Sequence, residues 1–320
     1  MKISFTGLTA FLVVVSLTSA GLAADTVGEA KKRGFLAVGV RDATPPMSFL
    51  DPEKGEIVGV EVDLAKEVAG KIGTPLKLVP VTADERLDAL RSGKVDMVAA
   101  SFSKTPEREK VVDFSLTYFT TRQRVLARKG AVAGLGDLEG KRIAVVKGTT
   151  SEENLRKKVP SADLLALGTM RDVVGALAKG EVDIVSGDGV TLYGYLRMAP
   201  EEKKGMFEIP EGIALGDEPY GMAVRQGDGK FLDLVNGVLT DLKNSGEAEK
   251  IFTKWLKGPS QPPAGAPPGY AEYIAKADQA HRREKQKMYE DSRKQYDYQY
   301  DDTWWWYGGW GGGWPGYFRW

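Results

Sequence analysis

Ser101-Phe102-Ser103-Lys104-Thr105-Pro106-Glu107-Arg108, followed by Val111-Val112-Asp113-Phe114-Ser115, sets two serine hydroxyls and one guanidinium directly after the apolar run Val95 to Ala100. Arginine presents a planar fork of donors that fits a carboxylate bidentately, and nearby hydroxyls fill the remaining lone pairs. The stretch holds the chemistry needed to grip the carboxylate of a small molecule.

Outward from it, short β-type runs alternate with helical ones. Leu36 to Val40, Leu76 to Val81, Val95 to Ala100, Ile143 to Val146, Leu164 to Leu167, Val182 to Ser186 and Gly221 to Arg225 read as strands. Val60 to Ile72 reads as a helix, with apolar residues at Val60, Leu64, Val68 and Ile72. Asp84 to Arg91, Ser151 to Lys158, Met170 to Lys179, Val190 to Met198 and Phe231 to Lys243 follow the same pattern, with Gly246 past the last. Strands alternating with helices predict an α/β fold with mainly parallel sheets and right-handed crossovers. In such sheets ligands sit beyond the carboxyl ends of strands. Arg41, Ser101 to Arg108, Gly148 to Thr150 and Asp188 all fall there.

Composition narrows the chemistry. Forty-four basic residues balance forty-four acidic ones, which is no footprint for nucleic acid. There is no Cys, and His281 is the only His. The globular part therefore has no thiol nucleophile, no His proton shuttle and no Cys/His metal site, and no cofactor is expected. No Gly-x-x-x-x-Gly-Lys-Ser/Thr loop is present for nucleotide hydrolysis. Lys2, the apolar run Leu8 to Leu17 and the small residues Ser19 to Ala24 read as a cleavable signal peptide over 1–24. The apolar run is too short to span a bilayer. An exported chain without Cys has neither disulfides nor a lipid-anchoring cysteine, so its core must hold the fold.

The Ser101 to Ser115 stretch, together with Lys147-Gly148-Thr149-Thr150-Ser151-Glu152, Ser186-Gly187-Asp188-Gly189 and Asn244 to Trp255, resembles the family 3 periplasmic solute-binding proteins of amino-acid ABC transporters. The resemblance covers about residues 30 to 258 and looks nearest to the glutamate/aspartate-binding branch. It implies a two-lobed clamp, each lobe a mixed, mainly parallel sheet flanked by helices. Lobe one would be 25–126 and 221–258 and lobe two 127–220, with crossovers at Thr121 to Ala127 and Pro219 to Arg225. The implied partners are an amino acid ligand and a membrane permease, and the implied compartment is the periplasm.

The resemblance also implies roles. Arg108 and Ser103 would take the ligand's α-carboxylate, joined by Gly148, Thr149 and Thr150 at a helix start, where free N–H groups and the helix dipole favour an anion. Asp188, otherwise a turn former beside Gly189, would pair with the α-ammonium, assisted by the Ser101 carbonyl. Arg41 would contact a side-chain carboxylate, Arg86 matches a second arginine used by acidic-amino-acid binders, and Phe49 would line the ligand site. Two departures bear on the substrate: Met170 or its neighbour stands where that branch has a ligand-contacting His, and Met47 where many relatives have an aromatic.

Three other readings are weighed. Ser101-Phe102-Ser103-Lys104 fits Ser-x-x-Lys of penicillin-binding enzymes, but Pro106 follows at once and the partner motifs Ser-Asp-Asn and Lys-Thr-Gly are missing. A prephenate- or arogenate-type dehydratase on the same fold would use Glu152 or Asp188 as its acid. An envelope sensor or scaffold would keep the clamp and signal through the C-terminal extension. That extension comprises a Pro/Gly linker over 259–270, a charged helix over 271–295 and a Trp/Tyr/Gly-rich tail over 296–320. The tail carries Trp304, Trp305, Trp306, Trp310, Trp314 and Trp320, residues suited to half-wet interfaces with an envelope partner.

Overall fold

The structure, a computed structural model of the chain, describes residues 25–51, 54–200, 203 and 205–257. The expected signal peptide, linker, charged helix and aromatic tail lie outside the described residues.

The chain begins with α1 (Thr26–Arg33) and β1 (Leu36–Val40), then a small antiparallel sheet of β2 (Ala43–Thr44), β3 (Ser48–Leu50) and β4 (Ile57–Val58). Next come α2 (Val60–Ile72), β5 (Leu76–Pro80), α3 (Arg86–Arg91), β6 (Met97–Val98), α4 (Pro106–Glu109) and β7 (Val112–Phe114). The long strand β8 (Phe119–Arg128) leads to β9 (Arg142–Val146), α5 (Thr150–Lys158), β10 (Asp163–Leu167), α6 (Met170–Lys179), β11 (Ile184–Asp188) and α7 (Gly189–Met198). β12 (Phe207–Glu208), β13 (Gly216–Tyr220), β14 (Ala223–Arg225), α8 (Gly229–Ser245) and α9 (Glu247–Phe252) complete the order.

Two larger sheets define two lobes. The first has order β5-β1-β6-β14-β7, with β5, β1 and β6 parallel and β14 antiparallel to its neighbours. The second has order β10-β9-β11-β8-β12, parallel through β11 and antiparallel at β8. All five residues of β1 are buried, as a central strand covered on both faces requires. Its side chains alternate: Leu36, Val38 and Val40 join the core under α2, α8 and α9. Val98 and Ala100, on the opposite face, meet Leu90 of α3. In the second lobe Val173 and Leu177 of α6 and Leu192 of α7 cover one face, and Leu155 of α5 the other.

The passage between lobes is a ribbon. β13 runs antiparallel beside β8, from Gly216 opposite Gln123 to Tyr220 opposite Phe119. Gln123 fixes it to the second lobe: its amide donates to the Ser151 carbonyl at 3.0 Å and the Ser186 hydroxyl at 2.9 Å, and accepts from Asn154 at 2.9 Å.

α2 spans the residues its apolar ladder predicts and ends at Gly73, φ 81°. Its entry residue Gly59 has φ 135°, and a Cβ there would stand 2.3 Å from the Met47 carbonyl oxygen. Some boundaries differ from expectation. The expected strand Val95 to Ala100 is regular only at Met97–Val98, although Asp96 and Ala99 still donate to β1 carbonyls. The chain turns away at Ser101, whose φ of 49° cannot continue a strand. The helix expected from Asp84 starts at Arg86, because the Glu85 carboxylate accepts the Thr82 N–H at 2.9 Å and holds a turn. α1 and the β2–β4 sheet carry too few apolar residues for periodicity to reveal them.

Candidate functional site

The expected ligand residues converge where the lobes face each other. Arg41 follows β1 and is buried; Asp188 closes β11 and leads into α7. The Tyr220 hydroxyl, at the end of β13, donates to Asp188 Oδ2 at 2.5 Å. Burial pushes the Asp188 carboxyl up, opposed by the Tyr220 hydrogen bond and by Arg41, Arg86 and Arg108. Arg41 makes no hydrogen bond within the described residues, and Asp188 is its strongest charged neighbour.

Thr105 caps α4, accepting the Arg108 N–H at 3.3 Å, and Pro106 fills the first turn, where a missing N–H costs nothing. The short helix aims Arg108 inward. Its Nη1 donates to the Ser103 carbonyl at 2.8 Å and its guanidinium lies 4.7 Å from the Phe102 ring centroid.

Arg86 is engaged differently. Nε donates to the Ala83 carbonyl at 2.8 Å, and Nη1 to those of Ala100 at 3.1 Å and Ser101 at 3.0 Å. Nη2 reaches the Gly148 carbonyl across the cleft at 3.4 Å. The Arg86 guanidinium is therefore occupied by backbone oxygens, whereas that of Arg41 is not hydrogen-bonded among the described residues. Phe49 stands against Trp255, ring centroids 5.9 Å apart, and lines neither cavity described below.

At the start of α5, Thr149 accepts the Glu152 N–H at 3.3 Å, and Glu152 reaches back to the Gly148 N–H at 2.9 Å. This is a capping box displaced by one residue. Gly148 has φ 74°, and a Cβ there would lie 2.7 Å from Asp84 Cβ on the other lobe. Thr150 donates to Glu218 at 2.7 Å.

Two carboxylates were not anticipated from sequence. Glu61, on α2, is fully buried. It accepts the Ser101 N–H at 2.6 Å, the Tyr118 hydroxyl at 2.5 Å, the Ser48 hydroxyl at 2.8 Å and the Ser101 hydroxyl at 3.3 Å. Burial raises its pKa, and those four donors oppose the rise. Glu218, on β13, is also buried. The signal for Glu61 was its place on the helix ladder with Ala65, Val68 and Ile72; Glu218 had none, lying just before the expected crossover at Pro219 to Arg225.

The lobes touch directly. Lys147 pairs with Asp84 at 3.1 Å. The Tyr195 hydroxyl donates to the Ala43 carbonyl at 3.1 Å, Arg171 to that of Asp42 at 3.4 Å, and Arg197 to that of Leu256. Between the lobes a cavity of about 10 Å³ is lined by Arg41, Thr149, Met170, Asp188 and others. A larger notch of about 160 Å³, with Arg41, Pro80, Glu85 and Thr169 on its walls, opens beside it. The inner cavity is about one water in size, so an amino acid enters only as the lobes part. Among the described residues no cluster of three or more His, Cys, Asp or Glu could hold a metal ion.

The comparisons agree with this architecture. The family model of bacterial extracellular solute-binding proteins, family 3, matches residues 36–258. The chain is similar to the ABC transporter glutamine-binding protein GlnH of Bacillus subtilis (strain 168), 35% identical over 240 residues covering 73% of this chain and 85% of that protein. It is also similar to the L-glutamate/L-aspartate-binding protein of Pseudomonas aeruginosa, 32% identical over 266 residues covering 78% and 87%. Among solved structures, a mutant of ArgBP from T. maritima is 35% identical with a TM-score of 0.68, covering 73% of this chain and 100% of that one. All three are named as binding proteins.

Proposed function

The chain belongs to the bacterial extracellular solute-binding proteins, family 3, and from that premise we propose that it captures glutamate or aspartate in the periplasm and hands it to the permease of an ABC importer. It acts by binding and not by catalysis. The observation that carries the acidic ligand is Arg41: a buried guanidinium without a hydrogen bond, beside Asp188 and on the wall of the interlobe cavity. Asp188 is the strongest charged neighbour of Arg41; in this reading the ligand ammonium takes Asp188, and a ligand side-chain carboxylate supplies Arg41 with the acceptors its guanidinium lacks.

In this reading Arg108 and Ser103 take the α-carboxylate on the first lobe. The α5 start at Gly148 to Thr150 and Asp188 join from the second. The α-ammonium takes the place of the Tyr220 hydroxyl on Asp188. Because the ligand touches both lobes only when they are shut, its differential affinity favours the closed form, which docks on the permease.

The similarity to GlnH and the extra carboxylate Glu218 favour a second reading, a neutral polar amino acid such as glutamine. Isothermal titration of the ligand-free protein with L-glutamate, L-aspartate, L-glutamine and L-arginine separates the two. One-to-one binding of an acidic amino acid, abolished in Arg108→Ala and stripped of its acidic preference in Arg41→Ala, supports the first. Binding of glutamine alone supports the second.

The six tryptophans from Trp304 to Trp320 add the proposal that the C-terminal extension seats the protein on an envelope partner. Truncation after Gly258 then loses envelope association and keeps ligand affinity; unchanged fractionation sinks it.

A further inference from the structure

Glu218 is 1% exposed, and its two oxygens have different fates. Oε2 accepts the Thr150 hydroxyl at 2.7 Å. Oε1 is buried without a hydrogen-bond partner, an arrangement that costs free energy unless something compensates it. Asp217, its neighbour on β13, pairs with Arg122 at 2.9 Å and so is neutralised separately. The groups that bear on Glu218 come from four directions: Asp188 at the end of β11, Arg108 on α4 with Ser103 before it, Thr150 on α5, and Tyr220 on its own strand. Glu153 of α5 also bears on Arg108.

A charge count shows why this carboxyl matters. The chamber holds Arg41, Arg86 and Arg108 against Glu61, Asp188 and Glu218, three of each sign. A zwitterion such as glutamine leaves the balance at zero. Glutamate adds one negative charge to a space that tolerates no unpaired charge. Burial raises Glu61 too, but both of its oxygens already accept hydrogen bonds, so a proton there has to turn a donor away. Asp188 faces three arginines and the Tyr220 hydroxyl, all of which favour its ionised form. Among the described residues Glu218 has only the Thr150 and Ser103 hydroxyls as donors, with Oε1 lacking a close partner, and is the group freest to hold a proton.

We propose that Glu218 is a specificity-determining residue whose proton selects the net charge of the bound amino acid. As a carboxylate it tunes the clamp to a zwitterion of net charge zero; as a carboxylic acid it admits one with an additional side-chain carboxylate. The inference rests on the amino-acid-binding reading of the cleft and names its regulation. Burial, first, and then Asp188 lift the Glu218 carboxyl to about 7, so either form is reached by a small change of pH.

The test is titration calorimetry of wild type and Glu218→Gln with L-glutamate and L-glutamine at pH 6 and pH 8, in two buffers of different ionisation enthalpy. In wild type, glutamate affinity should fall about tenfold from pH 6 to pH 8, as follows for a group that must be protonated and titrates near the midpoint. Proton uptake should accompany glutamate binding at pH 8, and glutamine affinity should change the other way, rising from pH 6 to pH 8 as the carboxylate form takes over. Glu218→Gln should keep its pH 6 glutamate affinity at pH 8. Glutamate binding that ignores pH in wild type, or the same pH slope in the variant, overturns the inference and leaves the binding function standing. Glutamine binding with no glutamate binding at pH 6 does the same. Failure of both amino acids at both pH values overturns the function reading, and the inference with it. The wild-type proton uptake stands as evidence even if the variant folds poorly.

Discussion

The Glu61 carboxylate accepts the Ser101 N–H at 2.6 Å, and Ser101 is the one non-glycine among the described residues with a positive φ, 49°. A side chain in that region is sterically disfavoured, so the turn must be held from outside. Glu61 holds it from α2, while Arg86 holds the Ala100 and Ser101 carbonyls from α3. Ser103 and Arg108, next along the chain, are aimed by that turn.

Glu61→Gln brings an amide N–H₂ against donors only. It should destabilise the protein by about 2–4 kcal/mol, the cost of leaving buried polar groups mismatched. Ligand affinity should fall as well, because the Ser101 turn positions Ser103 and Arg108, the residues proposed to take the α-carboxylate. Urea denaturation and titration calorimetry measure the two effects. A variant with wild-type stability would show that the Glu61 network carries no net weight.

Closure depends on two missing side chains. A Cβ at Gly194, on α7, would lie 2.2 Å from the Pro45 carbonyl oxygen of the first lobe. One at Gly148 would lie 2.7 Å from Asp84 Cβ, at a φ of 74°. Gly194→Ala is the cleaner probe, because alanine within a helix is favoured over glycine by up to about 1 kcal/mol. The variant should match or exceed wild type in thermal stability without ligand. It should still bind amino acid at least about tenfold more weakly, or about 1.4 kcal/mol. Small-angle scattering should show a more open molecule at saturating ligand. Unimpaired affinity would mean that the bound lobes do not approach this closely at α7.

The α/β architecture was legible because burial leaves a periodic trace: Leu36 to Val40 is apolar throughout, and Val60, Leu64, Val68 and Ile72 mark one helix face. Arg41, Gly148 and Asp188 follow or end a strand, which is why their meeting could be read from sequence, whereas Arg108 lies on α4 and is carried there by the turn at Ser101. What stayed hidden depends on partners distant in sequence. Arg86 carries the same charge as Arg41, and only the placement of four carbonyls tells an occupied guanidinium from an open one. Glu218 sits in a strand whose neighbours Asp217 and Tyr220 are polar too, so nothing local distinguishes the carboxylate that enters the cleft. Crossings were expected at Thr121 to Ala127 and Pro219 to Arg225, whereas the ribbon pairs β8 with β13 over Gly216 to Tyr220, a register between residues some hundred positions apart that no local pattern reveals.

Asp96 ties the first sheet to its flank. Its carboxylate accepts the Ala37 N–H at 2.8 Å and the Arg33 guanidinium, with Arg225 at 3.8 Å. Asp96 is 1% exposed while Arg33 is 35% exposed. Asp96→Ala orphans a buried N–H and should cost about 3 kcal/mol, whereas Arg33→Ala should cost about 1 kcal/mol. The double variant should lose less than the sum, since the two residues share one interaction. Additive losses in urea denaturation would show that the pair is not coupled.

Stability should also depend on pH through Glu218. Its folded pKa, about 7, stands above its ordinary value of 4.5. Between those values the native state holds a proton that the unfolded chain has lost, so stability falls as pH rises through that window and levels off above about 7. Two and a half units correspond to about 3 kcal/mol at most. Glu61 and Asp188, also raised, act in the same direction. Asp63, Asp84 and Asp183 are held below their ordinary values by Lys254, Thr82 and Arg142 among others, and act oppositely, losing their contribution as pH falls toward 3. The difference between Glu218→Gln and wild type isolates one group from the rest. Glutamine still accepts from Thr150 but cannot ionise, so the variant should gain relative stability of up to about 3 kcal/mol between pH 5 and pH 8. Urea midpoints measured across that range in ligand-free protein decide it: a constant difference would mean that Glu218 titrates alike in the folded and unfolded chain.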